Sequence, residues 1–271
     1  MSIQLLLSKQ LFVILAVILI SVSSIVAQER PDLADTTWMV PDAIETDRPD
    51  QTETASLVPK GYFQMENGFS IEDTEPGFLY THPSTLWKIG VSDFFEVRVI
   101  TEYINIQLYD NPKVDGLLPV QVGFKSKLLN QRGIIPKTSF IGHISLPGLA
   151  SKQFQQTYFA PNFRLAFLHH IRQRFSVSYN LGAEWDGETP RPDFLYSLSL
   201  GANIIGGLGI YGELYGSMPQ QREEDNELRA DAGFTYLITN DVIADISGGI
   251  GISDNAPEKY IAIGFSYRFK M

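Results

Sequence analysis

The closing stretch "YIAIGFSYRFKM", residues 260–271, decides how this chain folds. With the period of two that a strand imposes, Ile261, Ile263, Phe265, Tyr267 and Phe269 share one face, and Ala262, Gly264, Ser266 and Arg268 share the other. A soluble sheet packs its large apolar side on a core. A strand with a small, polar side and a large apolar side can equally turn the latter to lipid, provided that the sheet closes and leaves no edge.

The same contrast recurs along the chain. "YFQMENGFSI" (62–71) sets Phe63, Met65, Phe69 and Ile71 against Gln64, Glu66 and Ser70, and "FEVRVITEY" (95–103) sets Phe95, Val97, Val99 and Tyr103 against Glu96, Arg98 and Glu102. "RFSVSYNLGAEW" (174–185) and "ELRADAGFTYLI" (227–238) repeat it, with Asn180, Glu184, Arg229 and Asp231 on the small side. Further segments at 82–91, 120–128, 137–146, 155–168, 194–204, 208–217 and 242–252, with the closing one, bring the expectation to about twelve strands, an even number within the range of bacterial barrels. The connections 109–116, 185–193 and 218–226 read as long polar loops, whereas 206–207 and 239–241 read as tight turns. Long loops at one end and short turns at the other are what a membrane barrel shows.

The composition of the polar face separates a barrel from a soluble sandwich or a lipocalin-like barrel. A water-facing sheet surface is dressed with Lys, Glu and Thr. Here it is rich in Gly, Ser, Ala and Asn, with isolated charges at Glu66, Lys88, Glu96, Arg98, Glu102, Lys125, Arg164, Glu213, Arg229, Asp231, Asp245 and Arg268. Small residues with charges of mixed sign suit a narrow lumen, so these twelve are the candidate lumen and selectivity residues.

Upstream, Lys9, the apolar run "LFVILAVILI" (11–20) and "SSIVA" ending at Ala27 read as a signal peptide, residues 1–27; a membrane anchor is the alternative. No later run is long and apolar enough for a membrane helix. The chain has no cysteine, which removes disulfides, thiolate metal sites, cysteine nucleophiles and a lipoprotein anchor. The formal net charge is −10 and no window is rich in Lys and Arg, so nucleic acid is not an expected partner. Residues 28–59 are acidic, proline-rich and without period: an extended periplasmic arm or plug ahead of a barrel domain, 60–271.

Within that arm, "IETDRPDQTETASLVPKGYFQMENGFSIE" (44–72) resembles the start of the MetA-pathway phenol-degradation family of outer-membrane proteins. The likeness rests on Thr46, Asp47, Arg48, Pro49, Asp50, Glu53, Ser56, Val58, Pro59, Gly61 and Glu66, with "SLPG" (145–148) and "GELYG" (212–216) further on. The resemblance implies an outer-membrane barrel of a Gram-negative bacterium that passes small molecules, aromatic or hydrophobic compounds among them. Outer-membrane lipid, a small-molecule solute and the barrel-assembly machinery are then the partners. The family's terminal aromatic is here Phe269, followed by Lys270 and Met271.

Other motifs have quieter readings. "TDRPD" is either a strand-entry turn in which Arg48 makes one structural ion pair, or an arm folded into the barrel mouth, where Asp47, Arg48 and Asp50 pair with lumen charges. His143 and Ser145 in "GHISLPG" lie two apart, as a base and a nucleophile on one strand face would. Phe140, Ile144 and Leu146 claim the lipid side, so the pair points into the lumen and no catalytic residue is assigned. Adjacent His169 and His170 point to opposite strand faces and cannot chelate one metal together. The glycine runs at 206–209 and 248–251 lack the following helix of a phosphate loop. No cofactor or metal is expected. The expectation is an all-β, antiparallel up-and-down transmembrane β-barrel that acts as an outer-membrane channel or transporter and not as an enzyme. A non-conducting structural or ligand-binding barrel, or a lipid-active hydrolase, is the alternative.

Overall fold

The computed structural model describes residues 43–74, 77–109, 112–171, 174–220 and 226–271. The expected signal peptide and the first part of the arm lie outside these residues. Among the described residues the strands are β1 (Tyr62–Thr74), β2 (Gly77–Ser92), β3 (Phe95–Leu108), β4 (Lys113–Leu117), β5 (Val120–Leu129), β6 (Lys137–Leu146), β7 (Ala160–Ile171), β8 (Phe175–Glu184), β9 (Asp193–Ile205), β10 (Leu208–Pro219), β11 (Glu227–Thr239), β12 (Val242–Gly251) and β13 (Lys259–Lys270). Each pairs antiparallel with its sequence neighbours, except that β4 and β5 both pair with β3 and not with each other, and β1 pairs with β13, so the sheet closes on itself. Closure leaves no edge strand around the wall apart from the short β4, which pairs with β3 alone, and a closed wall is the condition for crossing a bilayer as a sheet.

Thirteen strands make a twelve-stranded wall because β4 and β5 are two halves of one. Tyr103–Gln107 of β3 pair with β4, and Phe95–Ile100 of the same strand pair with β5. Residues 113–117 therefore correct the expectation of a loop over 109–116. Their Lys, Asp and Gly read as loop chemistry, yet they extend the wall towards the long-loop end. A second correction concerns 155–159, expected as the start of a strand: a short 3₁₀ turn at Lys152–Phe154 precedes them and β7 begins at Ala160. The strand expected from residue 82 begins at Gly77, with a register shift at Thr81–Ser84.

The two barrel ends differ. One carries the tight connections at 93–94, 206–207 and 240–241, the longer 130–136, and the two ends of the barrel domain. Gly206 and Gly207 both take positive φ, the backbone that a two-residue hairpin turn requires. The other end carries 147–159, 185–192 and 252–258.

The alternation of β13 is resolved in favour of lipid outside. Ile261 and Ile263 are each 54% accessible and Phe265 44%, whereas Ala262 is 8% and Ser266 0% accessible. Phe234, Leu181, Phe69 and Ile246 are likewise turned out, while Glu66, Lys88, Glu96, Arg98 and Lys125 are buried inside. A water-soluble protein would present the reverse. On the outer surface, Phe95, Phe124, Phe140, Phe163 and Trp185 form a continuous run of ring contacts across β3, β5, β6, β7 and the end of β8.

Candidate functional site: a charged lumen crossed by the N-terminal arm

Inside the barrel lies the segment 44–58. It has no regular secondary structure, so its backbone groups need partners from elsewhere, and the inward side chains of the wall supply them. Ile44 donates its backbone N–H to the carbonyl of Asn240 at the tight-turn end. Asp47 and Arg48 donate theirs to Glu66 Oε2, at 2.9 and 3.2 Å, and Gln51 donates to Glu213 Oε2 at 2.7 Å. Asn180 of β8 serves Glu53 in both directions, accepting from its N–H at 2.8 Å and donating to its carbonyl at 2.9 Å. The chain then returns towards the tight-turn end: Ser139 donates to the Ala55 carbonyl, and Val58 donates to Glu96. Gly61 finally bonds Gly90 as β1 begins. The arm thus loops across the lumen and comes back to its own barrel entry.

Charge fixes the centre of the loop. Asp47 meets Lys88 of β2 at 2.9 Å, Arg98 of β3 at 3.0 Å and Lys125 of β5 at 2.8 Å, all with side chains at most 4% accessible. Lys88 also pairs with Glu66, Arg98 with Glu53, and Arg98 Nε lies 3.8 Å from Glu96. Burial penalises the Asp47 charge most, but Lys125, Lys88 and Arg98 together outweigh it and hold the carboxyl well below its ordinary range. Glu53 behaves alike: burial opposes its charge most, Arg98 with Arg164 and Lys125 more than offsets that, and the carboxyl falls to about 2. Asp50 is the opposite case. Burial and the nearby Glu213 raise it well above the ordinary value, and the hydrogen bond with Ser199 offsets only part of this.

Arg48 uses a separate notch. Its guanidinium pairs with Asp245 of β12 at 2.9 Å and rests against Gly68 and Gly264, where any Cβ would collide with it. Ala55, with 0% accessibility, joins Ile141, Ala166 and Leu168 in a small apolar cluster.

The twelve residues singled out on the polar strand faces are thereby divided among several places. Glu66, Lys88, Glu96, Arg98 and Lys125 form one network around Asp47, Glu213 holds the arm's backbone, and Asp245 holds Arg48. Arg164 reaches the Gln51 carbonyl at 3.3 Å and stands 4.0 Å from Glu53. Towards the long loops, Arg229 pairs with Glu72 and Glu227, and Asp231 accepts from Tyr260. Arg268 pairs with Asp241 at the tight-turn end, 2.8 Å apart. Glu102 lines open space. Of the arm motif, Asp50 makes no ion pair among the described residues, and Pro49 carries no charge. Asn180, Ser139 and Glu213's partner Thr52 matter as much as the charges, and only the alternation, which put Asn180 inward, hinted at any of them.

Open space remains beside the arm. A cavity of about 450 Å³ is bounded by Arg48, Gln51, Glu72, Glu102, Tyr215 and Arg229 among others, and one of about 290 Å³ by Glu53, Arg98, Glu102, His143 and Arg164. His143 and Ser145 are 7% and 9% accessible on the inner face, away from lipid. Among the described residues no group of three or more His, Asp or Glu side chains is arranged to hold a metal ion.

Similarity to solved structures follows this architecture. The fold superposes on an outer membrane channel from Pseudomonas putida F1 with a TM-score of 0.65 at 10% identity, covering 79% of this chain and 98% of that one. On the KdgM porin the TM-score is 0.52 at 10% identity, covering 76% and 99%. Curated proteins give no match. With its arm motif, its alternating strands and all of its closing β13 but Lys270 inside the matched residues 46–269, the chain belongs to the family described as "Putative MetA-pathway of phenol degradation".

Proposed function

We propose that this protein is an outer-membrane channel for small molecules, in which residues 44–58 form a constriction inside the lumen. The observation that carries this reading is the polar, charged interior with open cavities beside a strap held by side-chain contacts. A barrel whose only task is structural has no need of hydrated space lined by Glu102, Arg164 and Arg229. Its likeness in fold to an outer membrane channel and a porin supports the same reading. Export by the signal peptide and insertion by the barrel-assembly machinery into an outer membrane belong to this proposal.

Passage through such a pore needs no chemistry from the protein: solute size is limited by the strap, and charge preference by the side chains that line the remaining space. A hydrolytic role has no support from His143 and Ser145, because a lipid-splitting pair must meet acyl chains and these two face the arm. The test is current through planar bilayers containing the full mature protein or a version lacking residues 28–59. Larger single-channel conductance in the shortened protein is the expected result. Equal conductance and selectivity overturn the constriction, and the absence of any solute passage in both overturns the channel.

A further inference from the structure

Arg98, Gly123, His143, Asn162 and Glu184 are successive register partners across β3, β5, β6, β7 and β8, a single row around the inner wall. Gly123 is the gap in that row. A Cβ there would lie 2.4 Å from His143 Cδ2, so the imidazole leans over the glycine towards Arg98. Arg98, His143, Arg164 and Asn162 all border the 290 Å³ cavity, and the Glu53 carboxylate projects into the same space.

That cavity is bordered by polar atoms without partners, the acceptor Asn162 Oδ1 among them. Arg164 Nε and His143 Nε2 have no hydrogen-bond partner among the described residues, and His143 is more than nine-tenths buried. Arg164 approaches Glu53 only to 4.0 Å, beyond hydrogen-bond distance, so its strongest available partner is left half engaged. Lys88, Arg98, Lys125 and Arg164 face Asp47 and Glu53 of the arm and Glu66 and Glu96 of the wall, and Asp50, Glu102 and Glu184 border the same space. Asp47 is bound by three cations, whereas Glu53 is bound closely by Arg98 alone. If Glu53 swings away, the Arg98 guanidinium loses the carboxylate bound at Nη1, and the carboxylate of a monoanion can take that place. Buried donors left empty are costly, which favours a replacement that brings oxygen acceptors.

We propose that Arg98, Arg164 and His143 form a subsite for a small monocarboxylate solute, and that Glu53 is the arm's own carboxylate standing in it. The inference rests on the lumen being open to solute, as the channel reading requires, and names the solute class. A carboxylate arriving from the cavity exchanges with Glu53, which loosens the strap at that point. No bond is made or broken.

Acetate and its uncharged near-isostere acetamide are suitable probes, titrated by calorimetry into the full mature protein in detergent micelles. Glu53→Gln keeps the side-chain shape, so acetate should bind it at least about tenfold more tightly than it binds the parent, acetamide should gain nothing, and Glu53→Gln with Arg164→Gln should lose the gain. Glu53→Ala serves as the second variant should the amide itself fill the subsite. A shift on boiling in a denaturing gel verifies that each barrel is folded. Equal acetate binding by parent and both Glu53 variants, or an equal gain for acetamide, overturns the subsite. Because binding is read without current, a barrel that binds acetate but passes no solute overturns the channel and leaves the subsite standing. One that conducts without the acetate gain does the reverse.

Discussion

Gly68 and Gly264 are register partners across the β1–β13 seam, and the Arg48 guanidinium occupies the notch that their missing side chains leave. A Cβ on Gly68 would stand 2.0 Å from Arg48 Nη1, and one on Gly264 would stand 2.4 Å from Nε. The obstruction falls on the tip of a flexible side chain, so Gly68→Ala should evict Arg48 and spare the wall. The expected outcome is a conductance rise matching that of Arg48→Ala, with no further rise in the double variant, since both changes remove one interaction. Full additivity would mean that Gly68 and Arg48 act separately.

Asp47→Asn removes the shared counter-charge of Lys88, Arg98 and Lys125. Breaking a buried pair from one side costs about 3–5 kcal/mol, and here it loosens the arm more than the barrel. The chain lacks cysteine, so Ser56→Cys provides a single thiol on a residue 4% accessible when docked. Maleimide should label it far faster in the Asp47→Asn background, and the reversal potential in a salt gradient should move towards anions. Lys88→Gln, which leaves Asp47 two cations, should do less.

Acidification should act in two stages. Asp47 and Glu53 have lowered values in the docked arm, so their contribution is fully present above the free carboxylate range near pH 4 and is lost as pH falls through the docked values, about 2 for Glu53. Asp50 is raised, so its charge disfavours docking at neutral pH, and protonation relieves that cost as pH falls. Labelling of the Ser56→Cys thiol, with a reagent whose rate is corrected for pH, should therefore stay flat or slow between pH 7 and 5 and rise only below about 4. Release of the arm between pH 7 and 5 would contradict the charge assignments.

Ile263→Arg separates lipid from water outside β13. At a site 54% accessible on a soluble protein the change is worth within about 0.5 kcal/mol; at the bilayer midplane it costs about 2–4 kcal/mol. The temperature at which the folded band converts to the unfolded one on a gel should fall markedly for Ile263→Arg in lipid. An unchanged temperature would place Ile263 away from the hydrocarbon.

The wall was legible because each strand states its own orientation. Ile261 to Phe269 needs no knowledge of its partners to reveal a large and a small face. Residues 113–117 were hidden because polar pairing beyond the apolar band leaves no such contrast, and Tyr158 and Phe159 misled in the other direction, being aromatic without being strand. The course of the arm is a different kind of fact. Arg48 meets Asp245 across 197 positions and Thr52 meets Glu213 across 161, and nothing local in "TDRPDQTETAS" names those partners. The inward placement of Glu66, Lys88, Arg98 and Lys125 could be read from alternation, but their convergence on one carboxylate depends on barrel closure.

Because the strap forms no strand, the usable bore of this protein is set apart from its girth. Twelve strands dictate the circumference, and every change there must respect hydrogen-bond register and bilayer fit. The segment 44–58 answers to neither, so substitutions within it can widen, narrow or recharge the passage while the wall goes on assembling as before. Evolution, or an engineer, can refit the doorway without touching the masonry.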